Sequence, residues 1–148
     1  CQKLSAGTLE IKVIFTPGHT PACTSFLIGE NLFTGDAIFM PDLGTGRCDF
    51  PGGSATQLYG SIKNKIYELP ENYTVYTGHD YPPETRDLMF KTTIRDQKEN
   101  NVHLKATTSE KSFVKYRTDR DKSLKPPKLI RPSLMANLNG GSLELLKE

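Results

Sequence analysis

Two histidines and an aspartate, His19, Asp36 and His79, occupy equivalent places in three separate segments of the sequence. Each directly follows a glycine, and an apolar run typical of a β-strand lies shortly before each one. A glycine lets the backbone turn sharply at a strand end, where a side chain can project from the rim of a sheet. Imidazole and carboxylate groups together suit iron, zinc or manganese. The three segments therefore predict one converging metal site.

The strands that would carry these side chains are indicated by patterns of apolar residues. Residues 8–15 follow a period of two, and we expect four of their side chains to face inward: Leu9, Ile11, Val13 and Phe15. Residues 22–28 and 32–34 are two apolar runs separated by a glycine-containing turn, which is typical of a hairpin. Residues 73–77 predict a further short strand.

Helices are predicted in the second half of the chain. Ser54 begins a capping-box pattern, and apolar residues follow at helical spacing up to Pro70: Leu58, Ile62, Ile66 and Leu69. Two more helices are expected at about residues 92–100 and 109–122, the second opened by Thr107 and Glu110 in capping-box spacing. Strands followed by alternating helices indicate a layered α/β or α+β unit.

The remaining segments are predicted to be loops. Residues 39–53 are rich in Gly, Pro, Asp and Arg, and a loop of that length in a compact domain is usually functional or disordered. After Pro132, residues 133–138 predict a short apolar turn, and residues 140–148 predict a loose tail.

Composition limits the class of protein. With 148 residues, 36% hydrophobic and 24% charged, the chain fits one soluble domain, and its net charge of +2 favours neither nucleic acid nor an anionic membrane as a partner. No apolar run is long enough to cross a bilayer. Cys1, Cys23 and Cys48 are odd in number and lack zinc-finger spacing, so we expect free thiols in a reducing, intracellular compartment.

Four ordered motifs carry a resemblance to a known family. They are Thr16-Pro17-Gly18-His19-Thr20-Pro21-Ala22-Cys23, Phe33-Thr34-Gly35-Asp36, Gly46-Arg47-Cys48-Asp49-Phe50 and Gly78-His79-Asp80-Tyr81. Together they resemble the second half of a metallo-β-lactamase-fold protein, and most of all the persulfide dioxygenases and their bacterial subgroup, the β-lactamase hydrolase-like proteins. The resemblance implies a four-layer αββα sandwich with metal held at one edge between two sheets.

The chain departs from this family in two respects. Family members carry a His-x-His-x-Asp-His motif in a preceding half, and this sequence contains only His19, His79 and His103. We therefore expect residues 1–148 to be the C-terminal part of one metallo-β-lactamase-fold domain, a fragment with one sheet face uncovered. The second departure is Cys48, where some relatives carry Thr.

The resemblance implies an Fe(II) persulfide dioxygenase that oxidises glutathione persulfide with O₂ to sulfite and glutathione. His19 and Asp36 would be metal ligands, with a third ligand, a His, in the missing half. His79 is a ligand in the two-zinc hydrolase relatives and a near neighbour of the metal in the dioxygenases. Two His and one carboxylate on one face of an octahedron leave positions open for sulfur and O₂.

Substrate contacts are expected from the neighbouring loops. Arg47 could pair in bidentate fashion with a glutathione carboxylate, or form a structural ion pair with Asp42 or Asp49. Tyr81 offers a hydroxyl at the same rim, and Cys48 is either a thiol that touches persulfide sulfur or a plain loop residue.

Two other features receive structural interpretations. His103 is expected to be a surface or helix-capping residue. The charged residues 117–122 are expected to form a solvated helix face.

Two alternative functions remain. One is a zinc thioesterase resembling glyoxalase II, in which two metals generate a hydroxide. The sequence favours the dioxygenase, because Asp49-Phe50 and His79-Asp80-Tyr81 stand where the thioesterases carry Phe-Phe-Glu and His-Glu-Tyr. The other is an inactive remnant or binding partner.

The expected partners are a small thiol or persulfide and O₂, with homodimer formation left open. The expected compartment is the cytoplasm, or the mitochondrial matrix in a eukaryote.

Overall fold

A six-stranded sheet is the central element of the computed structural model, which describes residues 2–141. The strands are β1 (Gln2–Ala6), β2 (Leu9–Phe15), β3 (Thr24–Ile28), β4 (Asn31–Phe33), β5 (Thr74–Tyr76) and β6 (Lys91–Thr93), arranged in that order across the sheet. Neighbours are antiparallel except for β4 and β5, which are parallel. The predicted mixed α/β class is confirmed.

The helices lie mostly between and after the later strands. Helix α1 (Ala55–Ser61) continues into a π-helical turn (Ile62–Ile66), and both belong to the crossover that joins β4 to β5. Helices α2 (Ile94–Asn100), α3 (Glu110–Lys122) and α4 (Ile130–Leu138) follow β6. Within residues 2–141, none of the helices has the length and apolar character needed to span a bilayer.

One face of the sheet packs against these helices. Ile14, Leu32 and Val75 point to this side and form one buried cluster with helical and loop residues: Leu58, Ile62, Ile66, Ile94, Leu104 and Phe113. The helix predicted after Ser54 is confirmed, because the Ser54 side chain accepts a hydrogen bond from the Gln57 amide and caps the first turn. The pattern of Leu58, Ile62 and Ile66 thus anchors the crossover to the sheet.

The opposite face of the sheet is aromatic and largely open. Val13, Phe26, Phe33 and Tyr76 lie side by side in the strand registers, and the Phe33 and Tyr76 rings stack with centroids 5.0 Å apart. Phe26 and Phe33 are exposed in the part of the chain that the structure describes. Two neighbouring exposed aromatic side chains, Phe26 and Phe33, indicate a surface suited to further packing.

The prediction that alternate residues of β2 face the core is wrong for Leu9 and Phe15. Both are more than half exposed, at 53% and 56%, because they lie on the open face of the sheet. Ile14, from the other set, is the β2 residue that joins the core cluster. Alternation separates the two faces of a strand, but it does not show which face the helices cover.

Several boundaries also differ from the sequence prediction. Strands β1 and β6 were not predicted, and α2 begins at Ile94 because Thr93 caps it by accepting from the Asp96 amide. Ser109, and not Thr107, caps α3.

Residues 130–138 form helix α4 and not the short apolar turn that was predicted. Pro132 is tolerated in the first turn of this helix, where its missing N–H removes no intrahelical bond. Of the predicted loose tail, Gly140 and Gly141 form a turn, and residues 142–148 lie outside the described residues.

Candidate metal and substrate site

His19, Asp36 and His79 meet at one rim of the sheet, as their positions at strand ends predict. His19 lies in the loop between β2 and β3, Asp36 in a 3₁₀ turn (Gly35–Ala37) after β4, and His79 just after β5. Nε2 of His19 is 3.4 Å from Oδ2 of Asp36, and Nε2 of His79 is 3.5 Å from Oδ1. The carboxylate therefore faces one imidazole with each of its oxygens.

Two glycines allow this close approach. A Cβ atom at Gly46 would overlap the Asp36 carbonyl oxygen and lie 3.2 Å from Nδ1 of His19. A Cβ atom at Gly78 would lie 3.0 Å from Oδ1 of Asp36. These glycines are needed because a side chain at either position would push the loops away from the carboxylate.

The His19 ring is held in one orientation. Its Nδ1 is 2.6 Å from the carbonyl oxygen of Arg47, and a carbonyl can only accept, so Nδ1 carries the proton. The ring also packs edge-on against Phe50, with centroids 5.1 Å apart, and its side chain is 12% exposed. Nε2, the other ring nitrogen, is thereby aimed at Asp36.

This arrangement fits a bound cation. In the neutral ring, the Nε2 lone pair and the Asp36 carboxylate are both electron-rich, and their 3.4 Å contact is favourable only with a proton or a metal ion between them. The donor types, one imidazole nitrogen and one carboxylate oxygen, suit Fe(II) or Zn(II).

His79 is held more loosely than His19. Its side chain is 53% exposed, and among residues 2–141 its ring makes no hydrogen bond beyond the long contact with Asp36. It stacks on Tyr81, with centroids 5.7 Å apart. Within residues 2–141 no group of three His, Cys, Asp or Glu side chains is arranged to hold a metal ion. The described residues thus supply a His19–Asp36 pair, with His79 beside it, and not a complete set of ligands.

A cavity of about 600 Å³ opens onto these side chains. Its wall combines aromatic and aliphatic residues with three arginines. The lining residues are His19, Asp36, Phe39, Leu43, Thr45, Arg47, Phe50, His79, Tyr81, His103, Arg117, Arg120, Leu124 and Pro127. A volume of this size fits a small-molecule ligand.

Arg47 lies in the cavity wall, and three of its five N–H donors have partners within the protein. Nε and Nη2 donate to the two carboxylate oxygens of Asp49, each at 2.6 Å, and Nη1 donates to the Lys125 carbonyl at 3.0 Å. The guanidinium holds the pKa of the Asp49 carboxyl below its usual range. Of the interpretations left open for Arg47, its side chain adopts the ion pair with Asp49.

Asp42 and Asp80 share a different arginine, which no motif in the sequence indicated. Arg86 donates to both oxygens of Asp42 and to both oxygens of Asp80, and Asp80 also accepts from the Met89 amide. The Arg86 guanidinium lowers the pKa of the Asp80 carboxyl. This clamp joins the loop that carries His79 and Tyr81 to the loop after β4.

Tyr81 and Cys48 are placed differently relative to the cavity. Tyr81 is exposed at the rim, with its ring perpendicular to Phe39 and centroids 6.4 Å apart. Cys48 is half-buried and lines a neighbouring pocket with Asp121, not the cavity that contains His19. Burial raises the pKa of the Cys48 thiol to about 12, so it is protonated at neutral pH.

The prediction that His103 is a surface or capping residue is wrong. Its ring lies against Gly44, and its Nδ1 accepts a hydrogen bond from the Thr45 amide at 3.0 Å. Burial, followed by the charges of Arg117 and Arg120, lowers the pKa of His103 to about 4. His103 is therefore a neutral member of the cavity wall.

The prediction of a solvated face for residues 117–122 is wrong for Arg117 and Asp121. Arg117 is 2% exposed and donates through Nε and Nη2 to Oδ1 of Asp121. With Phe113 they form a stripe at four-residue spacing along α3, and this spacing was the available signal for a buried pair.

The buried pair holds the loop beneath His19. Nη1 of Arg117 donates to the Thr45 carbonyl at 3.2 Å, and Oδ2 of Asp121 accepts from the Cys48 amide at 2.8 Å. Between these two contacts lies Arg47, whose carbonyl oxygen accepts from His19. Helix α3 thus supports the backbone that orients the candidate metal ligand.

The mixed α/β fold and the His–Asp site at the rim of the sheet are consistent with a family that the sequence also matches. A family model described as "Metallo-beta-lactamase superfamily" matches residues 3–79, more than half of the chain. The chain belongs to the metallo-β-lactamase superfamily.

Three relatives of this chain have names that indicate different functions. The chain is 50% identical over 143 residues to "Glyoxylase B2" of Dictyostelium discoideum, covering 96% of this chain and 49% of that protein. It is 45% identical over 141 residues to a "Beta-lactamase hydrolase-like protein" of Agrobacterium fabrum, covering 95% and 32%. It is 36% identical over 138 residues to "Persulfide dioxygenase ETHE1, mitochondrial" of Bos taurus, covering 91% and 50%.

A solved structure supports the same fold. The crystal structure of ETHE1 from Myxococcus xanthus matches with a TM-score of 0.82 and 36% identity, covering 95% of this chain and 58% of that one. The predicted metallo-β-lactamase fold is confirmed. The chain spans between about a third and a half of the curated relatives named above.

Proposed function

We propose that this chain forms part of an Fe(II)-dependent persulfide dioxygenase that acts on glutathione persulfide. The observation that carries the proposal is the difference between the two histidines beside Asp36. His19 is shielded and oriented through its Nδ1, whereas His79 is half-exposed and lacks such a partner among residues 2–141. One preorganised His–Asp pair favours a single metal ion over two equivalent ones.

The chemistry assigned to these residues is binding and orientation. His19 and Asp36 would hold the iron, and the resemblance implies a third ligand, a His. Iron, when bound, would supply activation of O₂ and a direct bond to persulfide sulfur. Phe39, Leu43 and Phe50 would keep water away from the reacting sulfur.

The balanced reaction requires no nucleophile from the protein. One persulfide, one O₂ and one water give one thiol, one sulfite and two protons. Cys48 is protonated and faces another pocket, so we propose no step through its thiol. His79, close to Asp36 and partly open to solvent, is a suitable group to carry a proton away.

The named relatives support this proposal in part. The bovine relative is called a persulfide dioxygenase, and the Myxococcus structure carries the same ETHE1 name. Asp49-Phe50 and His79-Asp80-Tyr81 also match the dioxygenase pattern described above. For the compartment, we expect the cytoplasm, or the mitochondrial matrix in a eukaryote; the name of the bovine relative includes the word "mitochondrial".

A zinc thioesterase resembling glyoxalase II is the second candidate. It is favoured by Asp36, whose two oxygens each face a different histidine, because a carboxylate in this position can bridge two metal ions. The relative named Glyoxylase B2 points the same way. An inactive remnant is the third candidate, and metal content separates it from the other two.

Metal analysis combined with O₂ uptake tests these candidates. The complete gene product that contains this chain is purified anaerobically, its metals are counted, and O₂ consumption is followed after glutathione persulfide is added. About one iron per chain with O₂ uptake is the expected result. Two zinc ions, no O₂ uptake and hydrolysis of a glutathione thioester would assign the protein to the second candidate. Absence of bound metal would favour the third.

A further inference from the structure

Three buried hydroxyl groups lie side by side at the strand ends that carry the candidate metal site. Thr16 directly follows β2, Ser25 is the second residue of β3, and Thr34 directly follows β4. All three residues are at most 1% exposed. Ser25 is paired in register with Ile14, and Thr34 lies two residues after Leu32, so the hydroxyls are on the face of the sheet that the helices cover. A buried hydroxyl costs free energy unless it is hydrogen-bonded, so each of these groups needs a partner.

Hydrogen bonds connect the three groups in one direction. Ser25 Oγ donates to the Thr34 carbonyl oxygen in a long contact of 3.5 Å. A serine hydroxyl has a single proton, so in its 3.0 Å contact with Thr16 Oγ1 the threonine is the donor. We call this arrangement, Thr16–Ser25–Thr34, the hydroxyl row.

Thr34 is the member of the hydroxyl row that contacts the turn carrying Asp36. Its Oγ1 lies 3.4 Å from the carbonyl oxygen of Gly35, 3.1 Å from that of Ile38 and 3.2 Å from that of Tyr76. Carbonyl oxygens only accept, so Thr34 shares its one proton among the three. Gly35 begins the 3₁₀ turn and Ile38 follows it, so Asp36 lies between them, while Tyr76 ends β5. One hydroxyl therefore ties both ends of the turn to the neighbouring strand.

The other end of the hydroxyl row supports the loop that carries His19. The Thr16 amide donates to the Cys23 carbonyl at 2.9 Å, which closes this loop, and the Thr16 hydroxyl begins the row. Buried side chains thus join the loop of His19 to the turn of Asp36. The row ends at β5, ahead of the loop that carries His79.

We propose that the hydroxyl row sets the spacing between His19 and Asp36, and that Thr34 is the positioning residue of the Asp36 carboxylate. The two side chains are then held at their 3.4 Å separation before a metal ion binds. Because the hydroxyls are buried, they act through the position of the ligands and contact neither metal nor substrate. This inference rests on the metal site of the function proposed above and applies to iron and zinc alike.

Binding of Zn²⁺, a redox-inert probe of this donor set, tests the proposal without requiring turnover. The complete gene product is freed of metal and titrated with Zn²⁺ in competition with a chromophoric chelator. Thr34→Val replaces the hydroxyl by a methyl group of similar size, and we expect the Kd for Zn²⁺ to rise about tenfold because the Asp36 turn loses its link to β5. Thr34→Ser keeps the hydroxyl and should stay within about twofold of the wild type.

Thr92→Val is the matched control. Thr92 is buried in β6, its hydroxyl donates to Oδ2 of Asp96 at 2.6 Å, and it does not line the cavity that contains His19. The same substitution therefore removes a buried hydrogen bond elsewhere in the sheet. We expect a lower urea midpoint in both valine variants, and a wild-type Kd for Zn²⁺ in Thr92→Val. A hydroxyl that only stabilised the fold would lower the midpoint and leave the Kd unchanged.

Ser25→Ala interrupts the hydroxyl row one strand away from the Asp36 turn. It leaves the three contacts of the Thr34 hydroxyl in place, so we expect a smaller rise in the Kd for Zn²⁺, of about threefold. This variant decides the proposal if Thr34→Val does not fold: a rise of this size supports it, and wild-type affinity overturns it.

Three further results would overturn the proposal. They are wild-type Zn²⁺ affinity in a folded Thr34→Val protein, an equal loss of affinity in Thr92→Val, and no recovery in Thr34→Ser. If Asp36→Ala loses the metal while Thr34→Val binds it normally, the metal site stands and the hydroxyl row fails. If Thr34→Val binds Zn²⁺ weakly while the wild-type protein oxidises no persulfide, the hydroxyl row stands and the dioxygenase assignment fails.

Discussion

The loop that carries His19 and the loop that carries His79 meet at the same carboxylate, but they are fixed by different means. The His19 ring contacts the Arg47 carbonyl oxygen and the Phe50 ring. The buried Arg117–Asp121 pair in turn holds the loop that contains Arg47. The His79 loop is held by the Arg86 clamp, and its imidazole is half-exposed. One side of Asp36 is thus preorganised from the protein interior, while the other remains adjustable.

The strongest test of this contrast removes each histidine in turn. In the complete gene product, His19→Ala should reduce the metal content from about one ion per chain to near zero. We expect the same result for Asp36→Ala. His79→Ala should retain most of the metal, because His79 stands beside the preorganised pair. Elemental analysis of the three variants measures this. Equal loss of metal in both histidine variants would abolish the distinction and support a two-metal site.

Breaking the buried pair should have the next largest effect. Arg117→Met leaves the Asp121 carboxylate buried without its cation and should reduce the free energy of unfolding by about 3–5 kcal/mol. The double variant Arg117→Met/Asp121→Leu should recover much of that stability, since it leaves no charge unpaired. Urea unfolding measures both changes.

The double variant also tests whether the Arg117–Asp121 pair supports the metal site independently of its effect on protein stability. It loses the contacts to the Thr45 carbonyl and the Cys48 amide that hold the backbone on either side of Arg47. We therefore expect weaker metal binding even where stability is recovered, by about tenfold in a competition with a chelator. Wild-type metal affinity in the stable double variant would show that α3 does not support His19.

The pH dependence of stability should reveal the same interior network. The pKa of His103 is lowered in the folded protein from 6.5 to about 4, so below pH 6.5 the unfolded chain takes up a proton that the folded chain does not. Stability should fall as the pH drops through this window, by about 2 kcal/mol between pH 7 and pH 5. The groups facing the ring are Arg117, Arg120 and Tyr116.

His103→Gln removes this titration while it keeps an acceptor for the Thr45 amide. Urea unfolding at pH 7 and pH 5 should show a smaller loss of stability in the variant than in the wild type. An identical pH dependence in the two proteins would place the titrating group elsewhere.

The convergence of the site could be predicted from sequence because it rests on local patterns. Strand ends closed by glycine are visible in the chain, and they predict the single rim at which His19, Asp36 and His79 meet. The helix after Ser54 was equally visible, because both its cap and its apolar spacing are local.

The partners of the charged residues could not be predicted in the same way. Arg47 could pair with a ligand, Asp42 or Asp49, and the choice depends on where Arg86 and Lys125 lie in three dimensions. The interior position of Arg117 likewise depends on the loop at Thr45, 72 residues away in sequence. Charge runs are usually solvated, and only packing shows which members are not.

The smallest effect is expected from the clamp on the His79 side. Arg86→Gln removes the bonds to Asp42 and Asp80, so the pKa of the Asp80 carboxyl should return toward its usual range and the Met89 amide should lose protection from hydrogen exchange. Exchange measured by mass spectrometry should increase between residues 77 and 90. Metal affinity should change less than about threefold, because the His19–Asp36 pair does not depend on this clamp. A loss of metal comparable to that of the α3 double variant would mean that both loops, and not one, preorganise the site.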